Sequence, residues 1–232
     1  VSKADRPVIV TGGASGIGAA IVERLSNAGH PVANFDLNAP DPVDITDYAA
    51  VDAAISAFED SNGPLYGLVN NAGWDVARPF VDTDPELWRK VIDINLTGPL
   101  NVTHLALHRL VAAGRGRVIS IASDAGRVGS SGEAVYSACK GGIIALMKTL
   151  AREHARQGLT FNTICPGPTD TPLLESFDPG GGLREALQRA IPMRRLATPQ
   201  DFPGLVEFFL SDDAEFITGQ TISVSGGLSM HG

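Results

Sequence analysis

Short apolar runs rich in valine and isoleucine recur along this chain, each followed by a longer stretch with helical periodicity. The pattern predicts strands at Pro7–Thr11, Pro31–Phe35, Leu65–Asn70, Arg117–Ile121, Thr160–Cys165 and Thr221–Val224. Helices are predicted near Ile17–Ala28, Tyr48–Asp60, Pro85–Ala113, Ala134–Arg156 and Asp201–Leu210. Strands that alternate with helices imply a parallel sheet covered on both faces. Right-handed crossovers make that a doubly wound α/β arrangement, with ligands at the carboxyl ends of the strands. The stretch Thr171 to Gln200 breaks the pattern, because prolines and Gly180-Gly181-Gly182 surround one short helical segment. It reads as an insertion covering a substrate, with a plain surface excursion as the alternative.

Composition narrows the classes. A chain of 232 residues, 44% hydrophobic and 19% charged, suits a single domain spanning residues 1–232. A formal net charge of −8 and the lack of a lysine/arginine-rich run argue against nucleic acid and anionic membranes as partners. There is no apolar run of eighteen residues, and the polar start Val1 to Pro7 has no signal-peptide pattern. The two cysteines, Cys139 and Cys165, fall in core elements and are expected as buried free thiols in a cytoplasmic protein.

The first strand runs into Thr11-Gly12-Gly13-Ala14-Ser15-Gly16-Ile17-Gly18, which opens the first helix. Glycines there permit a tight turn and a close approach to a pyrophosphate, and the helix N-terminus offers amide donors. Asp36 ends the second strand, eighteen residues after Gly18. A carboxylate there accepts hydrogen bonds from both ribose hydroxyls of an adenosine and repels a 2′-phosphate. Ser15, Leu37 and Asn38 supply no cation for such a phosphate, so NAD is expected over NADP.

Further on, Ser123 precedes Tyr136-Ser137-Ala138-Cys139-Lys140 by twelve intervening residues. On a helix, Tyr136 and Lys140 share a face at i and i+4. A nearby ammonium is expected to lower the tyrosine pKa from about 10 and make the phenol a usable acid or base. Ser123 can then hold an oxygen whose charge changes during reaction.

Together these motifs resemble the short-chain dehydrogenase/reductase family, in its single-domain branch, over nearly the whole chain. Asn70-Asn71-Ala72-Gly73 is similar to that family's adenosine-pocket motif, and Asn95 to its fourth catalytic position. Pro166-Gly167, with Thr169 and Thr171, resembles the segment that contacts the nicotinamide end. Ile217-Thr218-Gly219-Gln220, then Ser225-Gly226-Gly227, resembles the closing strand and turn. The resemblance implies a Rossmann-like fold, catalytic Asn95, Ser123, Tyr136 and Lys140, and a homotetramer. It also implies that Gly12, Ser15, Gly16, Ile17, Gly18, Asp36, Asp44, Ile45, Asn71, Ala72, Gly73, Tyr136, Lys140, Pro166, Gly167, Thr169 and Thr171 line the NAD site. Tyr136 would exchange the alcohol proton, with Lys140 also holding the nicotinamide ribose and Asn95 supporting a water that links Lys140 to solvent.

One segment departs from the family. Seven residues, two of them proline, separate Asp36 from Asp44-Ile45, which matches an adenine-contacting pair. They span about 23 Å when extended, which predicts a missing helix and a rudimentary third strand. The truncation resembles dehydrogenases of cyclic dihydrodiols. Residues 123–136 and 165–171 resemble 2-hydroxycyclohexanecarboxyl-CoA dehydrogenases. Both likenesses imply a ring-borne secondary alcohol (a cyclic hydroxy acid, its CoA thioester or a dihydrodiol) from aromatic or alicyclic degradation. A 3-oxoacyl-thioester reductase is the alternative, and a non-catalytic dinucleotide sensor the distant one.

Other residues have divided claims. Trp74 is either an apolar wall for a ring or a packing residue. Arg127 either pairs a substrate carboxylate or is an ordinary surface arginine. Glu133 either hydrogen-bonds a hydroxylated substrate or favours a helix N-terminus, and the latter is preferred. Arg194-Arg195 either meet an acyl-CoA phosphate or, by preference, form a salt bridge to a neighbouring element, and Arg194 stands where the family more often has glycine. His104 and His108 are i and i+4, but no further ligand completes a set, so no metal is expected.

Overall fold

The computed structural model describes residues 2–177 and 182–230. Six strands form one parallel sheet in the order β2-β1-β3-β4-β5-β6. They are β1 (Val8–Thr11), β2 (Val32–Phe35), β3 (Gly67–Asn70), β4 (Gly116–Ile121), β5 (Leu159–Pro166) and β6 (Thr221–Val224). All six expected strands are present. The order reverses between β1 and β3, which opens a crevice above their carboxyl ends.

Two-residue alternation along the strands divides the core between two faces. Ile9, Leu68, Val118 and Phe161 point to one side, where helices α2 (Tyr48–Asn62), α4 (Gly98–Ala113) and α6 (Ala134–His154) supply Val51, Ile55, Val102, Leu110, Ile143 and Met147. Val8, Val10, Val69, Ile119 and Ile164 point to the other. There α1 (Gly16–Asn27) and α9 (Pro203–Leu210) bring Ile21, Leu25, Val206 and Phe209. No helix among the described residues is long and apolar enough to cross a membrane.

Three elements differ from expectation. The segment between Asp36 and Asp44 has no helix, as expected, but Asp44-Ile45 forms no strand at all. The chain folds back on Asp36, whose carbonyl accepts from Ala39 and Val43, and β2 is left at the sheet edge. Prolines at 40 and 42 lack the N–H groups a ladder would need. The stretch expected as one helix over Pro85–Ala113 is split into α3 (Pro85–Ile92) and α4 by a π-helical turn, Asp93–Thr97. The insertion holds two helices, α7 (Pro172–Phe177) and α8 (Gly182–Ala190), where one was expected. Its Pro179, Gly180 and Gly181 lie outside the described residues. Its stems are joined by a parallel bridge between Thr169 and Ala197.

Candidate active site

The glycine turn follows β1 and is shaped by what a side chain would strike. A Cβ on Gly12 would meet the Ala72 Cα at 2.7 Å, and one on Gly18 would meet the Gly12 carbonyl oxygen at 2.0 Å. Gly16 takes a left-handed φ of 52°. Ser15 caps α1 without a side-chain hydrogen bond, so the first-turn amides keep their donors for another acceptor. Thr11 and Asn71 lock this turn to the end of β3. The Thr11 hydroxyl accepts from the Asn71 and Ala72 amides, and the Asn71 side chain donates to the Thr11 and Gly12 carbonyls.

Asp36 sits at the rim. Its carboxylate accepts from the Ala14 amide at 3.0 Å and from the Asn38 amide at 2.8 Å. Beyond it, Ile45 is buried against Gly98, where a Cβ would stand 2.6 Å from the Ile45 Cδ1. Asn101 donates to the Ile45 carbonyl, while the exposed Asp44 caps Thr46. These contacts hold the shortened crossover in place without a helix. A turn that admits no side chain, free amides at a helix start and a carboxylate at the rim fit a dinucleotide.

The π-helical turn points Asn95 inward. Its side chain is fully buried and donates to the Trp74 and Val91 carbonyls at 2.6 and 2.9 Å, while accepting from the Trp74 amide. An extra residue per turn re-aims side chains, and such bulges recur at functional sites. A Cβ on Gly73 would lie 3.1 Å from the Asn95 Oδ1 and 3.4 Å from the Lys140 Nζ, so Asn95 and Lys140 meet at this glycine.

Ser123 follows β4, and Tyr136 and Lys140 lie on α6. Ser123 lies close enough to Tyr136 to lower its pKa, and the Lys140 Nζ stands 5.4 Å from the Tyr136 ring centroid. The structure thus brings together all four expected catalytic residues. Between them, the helical turn α5 (Ala125–Val128) packs straight onto α6. A Cβ on Gly126 would come within 2.6 Å of the Gly141 nitrogen.

The expected acidification of Tyr136 is not found. Burial raises its pKa, and the charges of Glu133 and Asp75 raise it further, against a lowering by the Ser123 hydrogen bond. Lys140 is 4% exposed and donates to the Ile121 carbonyl at 3.1 Å. Burial brings it down to about 8. Each group is pushed toward its neutral form because low dielectric penalises charge.

Further positions resolve as follows. Gly167 lets β5 pass the C-terminal turn, since a Cβ would lie 2.7 Å from the Ser225 Cα. Past Pro166 the chain kinks; the Thr169 hydroxyl donates to the Gly167 carbonyl, and Thr171 reaches within 3.4 Å of a Cβ placed on Gly16. The start of the insertion therefore touches the glycine turn beside Ile17. Half-buried Trp74 carries the Lys90 ammonium 4.0 Å from its ring centroid.

Arg127 is not free to bind substrate, which corrects that expectation. It pairs with Asp124 at 3.6 Å, donates to the Ser223 hydroxyl at 2.9 Å and also donates to the Thr221 carbonyl. Arg195 forms its expected ion pair, with Asp201, at 2.7 Å. Arg194 adopts a φ of 58°, which accounts for glycine being usual there. His104 shares a hydrogen bond with the Tyr48 hydroxyl, and both cysteines are buried free thiols. Sequence reasoning passed over Asp75, which is buried behind Trp74. The one signal was an acidic residue two positions after the Asn70-Asn71-Ala72-Gly73 motif.

A family model described as Enoyl-(Acyl carrier protein) reductase matches residues 12–229. The chain belongs to the short-chain dehydrogenase/reductase family, and is an oxidoreductase of that family. Among curated relatives, an acetoacetyl-CoA reductase of Rhizobium meliloti is 40% identical over 236 residues, covering 96% of this chain and 98% of that protein. The 3-oxoacyl-(acyl-carrier-protein) reductase MabA of Mycobacterium tuberculosis is 37% identical, covering 97% of this chain and 93% of that protein. In structure, the ligand-free aldohexose dehydrogenase of Thermoplasma acidophilum superposes with a TM-score of 0.92 at 29% identity, covering 100% of this chain and 97% of that one. Both curated names are those of 3-oxoacyl-thioester reductases, which favours the alternative substrate class. The cyclic substrate finds no support among them.

Proposed function

We propose that the protein interconverts a 3-oxoacyl thioester and its 3-hydroxyacyl counterpart, using NAD(H). The observation that carries this reading is the convergence of Asn95, Ser123, Tyr136 and Lys140 at one end of the sheet, in a chain that matches thioester reductases along its length. When bound, the nicotinamide supplies or accepts the hydride. The chain's residues do the rest. Ser123 orients the substrate oxygen and Tyr136 gives it a proton in reduction or takes one in oxidation. The buried Lys140 ammonium stands beside the phenol, and Asn95 fixes the Trp74 backbone next to it. Because burial keeps Tyr136 protonated, the free protein carries the acid that carbonyl reduction needs.

Asp36 favours NAD, since a 2′-phosphate would meet a carboxylate already fixed at the rim of the turn. A homotetramer accords with the exposed Ile92 and Leu100 on α3 and α4 and Ile222 on the edge strand β6. The ring-borne alcohol retains only the likeness of residues 123–136 and 165–171, so the open-chain thioester is preferred. The test is acetoacetyl-CoA reduction with NADH against NADPH, in the wild type and in Tyr136→Phe. Turnover is expected with NADH and should drop at least 1000-fold in the variant, roughly the contribution of a positioned acid. A variant that keeps more than a few per cent of activity would remove Tyr136 from the reaction.

A further inference from the structure

The insertion carries four arginines, and its own packing accounts for two of them. Arg184 pairs with Asp170 at 2.7 Å, which pins α8 to the chain just beyond β5, and Arg195 is held by both carboxylate oxygens of Asp201. Arg189 has a looser contact, 3.8 Å from Glu185, and both side chains are largely exposed. Arg194 has no carboxylate partner among the described residues; its guanidinium donates to the Arg189 carbonyl. Arg189 and Arg194 line one open cleft of about 340 Å³, together with Glu185 and Gln188. Glu185, Gln188 and Arg189 share a face of α8 by their spacing. That volume is within the range of small-molecule sites.

Arg194 is kept against its backbone preference. It is the one non-glycine residue with a left-handed φ among the described residues. Such strain concentrates at functional positions, and glycine here would remove the strain and the cation together. The cleft also lies at the reacting end of the sheet. Arg194 follows Met193, whose amide donates to the Gly226 carbonyl at 3.1 Å, in the turn after β6. Ser225 of that turn abuts Gly167, which follows β5. Ser123 leaves β4 at this same end. In a chain of net charge −8, two guanidiniums facing one cleft call for an anion, and paired N–H donors match a phosphate.

We propose that Arg189 and Arg194 form a subsite for the 3′-phosphate of a coenzyme A thioester, at the far end of the pantetheine arm from the reacting carbonyl. This deepens the thioester reading and rests on it. It selects the CoA ester over a carrier-protein ester, whose phosphopantetheine arm has no 3′-phosphate. A phosphomonoester is close to doubly charged at pH 7, so it competes well with the Glu185 carboxylate for Arg189. Glu185 therefore weakens the subsite without abolishing it.

The experiment compares kcat/KM for NADH-linked reduction of acetoacetyl-CoA and of its 3′-dephospho analogue in the wild type, Arg194→Gly and Glu185→Gln. The wild type should favour the phosphorylated ester by about 5- to 20-fold, the product of two exposed ion pairs. That ratio should fall to about one in Arg194→Gly, although the variant loses strain, and should rise in Glu185→Gln. A merely weakened fold would not move the two ratios in opposite directions. An unchanged ratio in Arg194→Gly, or no preference in the wild type, overturns the proposal. So does an acyl-carrier-protein thioester that loses as much kcat/KM in Arg194→Gly as acetoacetyl-CoA does, because the arginines would then serve an acidic protein. If acetoacetyl-CoA is not reduced at all, the thioester reading fails by itself. Calorimetric titration of the wild type with free CoA and with dephospho-CoA then decides the subsite: tighter binding of CoA is expected, and equal binding of the two, or of neither, overturns it.

Discussion

Replacing Arg127 separates a structural clamp from a substrate ligand. The guanidinium ties the turn after Ser123 to β6 through Asp124, Ser223 and Thr221, and its side chain is only 14% exposed, against 11% for Asp124. Arg127→Ala leaves Asp124 buried with only the Ser223 hydroxyl, at 2.6 Å, donating to it. Removing one partner of a buried pair costs about 3 kcal/mol, at the low end of the range because the 3.6 Å separation is not ideal. For a chain of this size that lowers Tm by about 6–12 °C. The turn also carries Ser123, so kcat should fall while KM for the thioester changes less than threefold. Calorimetry and steady-state kinetics on the same sample measure both. Removing Asp124 as well should restore part of the loss, with a coupling of about 2 kcal/mol in the double-mutant cycle. An Arg127→Ala protein that melts within two degrees of wild type and shows KM raised tenfold or more would refute the clamp.

Other perturbations test separate parts of the account. Burial holds Lys140 near 8, whereas an unfolded lysine titrates at about 10.4, so the native state releases its proton first and stability rises with pH between those values. Below that window the buried ammonium costs its full amount. Lys140→Met should therefore be inactive yet more stable at pH 7, by on the order of 2 kcal/mol, with the advantage narrowing in melts at pH 9.5. An advantage that grows with pH would contradict this sign. Asp36→Ala should lower kcat/KM for NADH about 100-fold and raise that for NADPH, whose 2′-phosphate no longer meets a carboxylate, as read from parallel cofactor titrations. Arg194→Gly relieves a left-handed residue and should raise Tm by about 2–4 °C in a thermal scan, the shift for about 1 kcal/mol.

The fold was legible because valine- and isoleucine-rich strands alternating with amphipathic helices leave little choice but a doubly wound sheet. The site was legible where chemistry demands particular residues, as in the glycine turn, Asp36, Ser123, Tyr136 and Lys140. What could not be read depends on long-range packing. The split of Pro85–Ala113 follows from Asn95 bonding to the Trp74 backbone, a partner 21 residues away in sequence. Arg127 looked available because its anchors, Ser223 and Thr221, lie more than ninety residues further on. Asp75 carries no sequence signal of burial, and only the packing of Glu133 and α3 around it makes it a buried acid.

The same limit applies to the proposed catalytic pair. Spacing on a helix says that Tyr136 and Lys140 are neighbours, and neighbouring opposite charges stabilise each other. That inference silently assumes both groups are charged. In the fold, Lys140 sinks beneath Gly73 and bonds the Ile121 carbonyl, while Tyr136 lies where Asp75 and Glu133 disfavour a phenolate. Desolvation acts on the two in opposite directions on the pH scale and toward the same end, a neutral phenol beside an amine close to neutrality. A site in that state donates a proton more readily than it removes one. Oxidation must therefore begin by overcoming two carboxylates that reduction can leave in place. Neutralising Glu133 should let the phenol lose its proton at lower pH: Glu133→Gln should move the pH at which kcat for 3-hydroxybutyryl-CoA oxidation is half-maximal downward, read at saturating substrate, while kcat/KM in the two directions changes by one common factor, as the fixed equilibrium requires. An unchanged pH profile would mean that Glu133 leaves the phenol untouched.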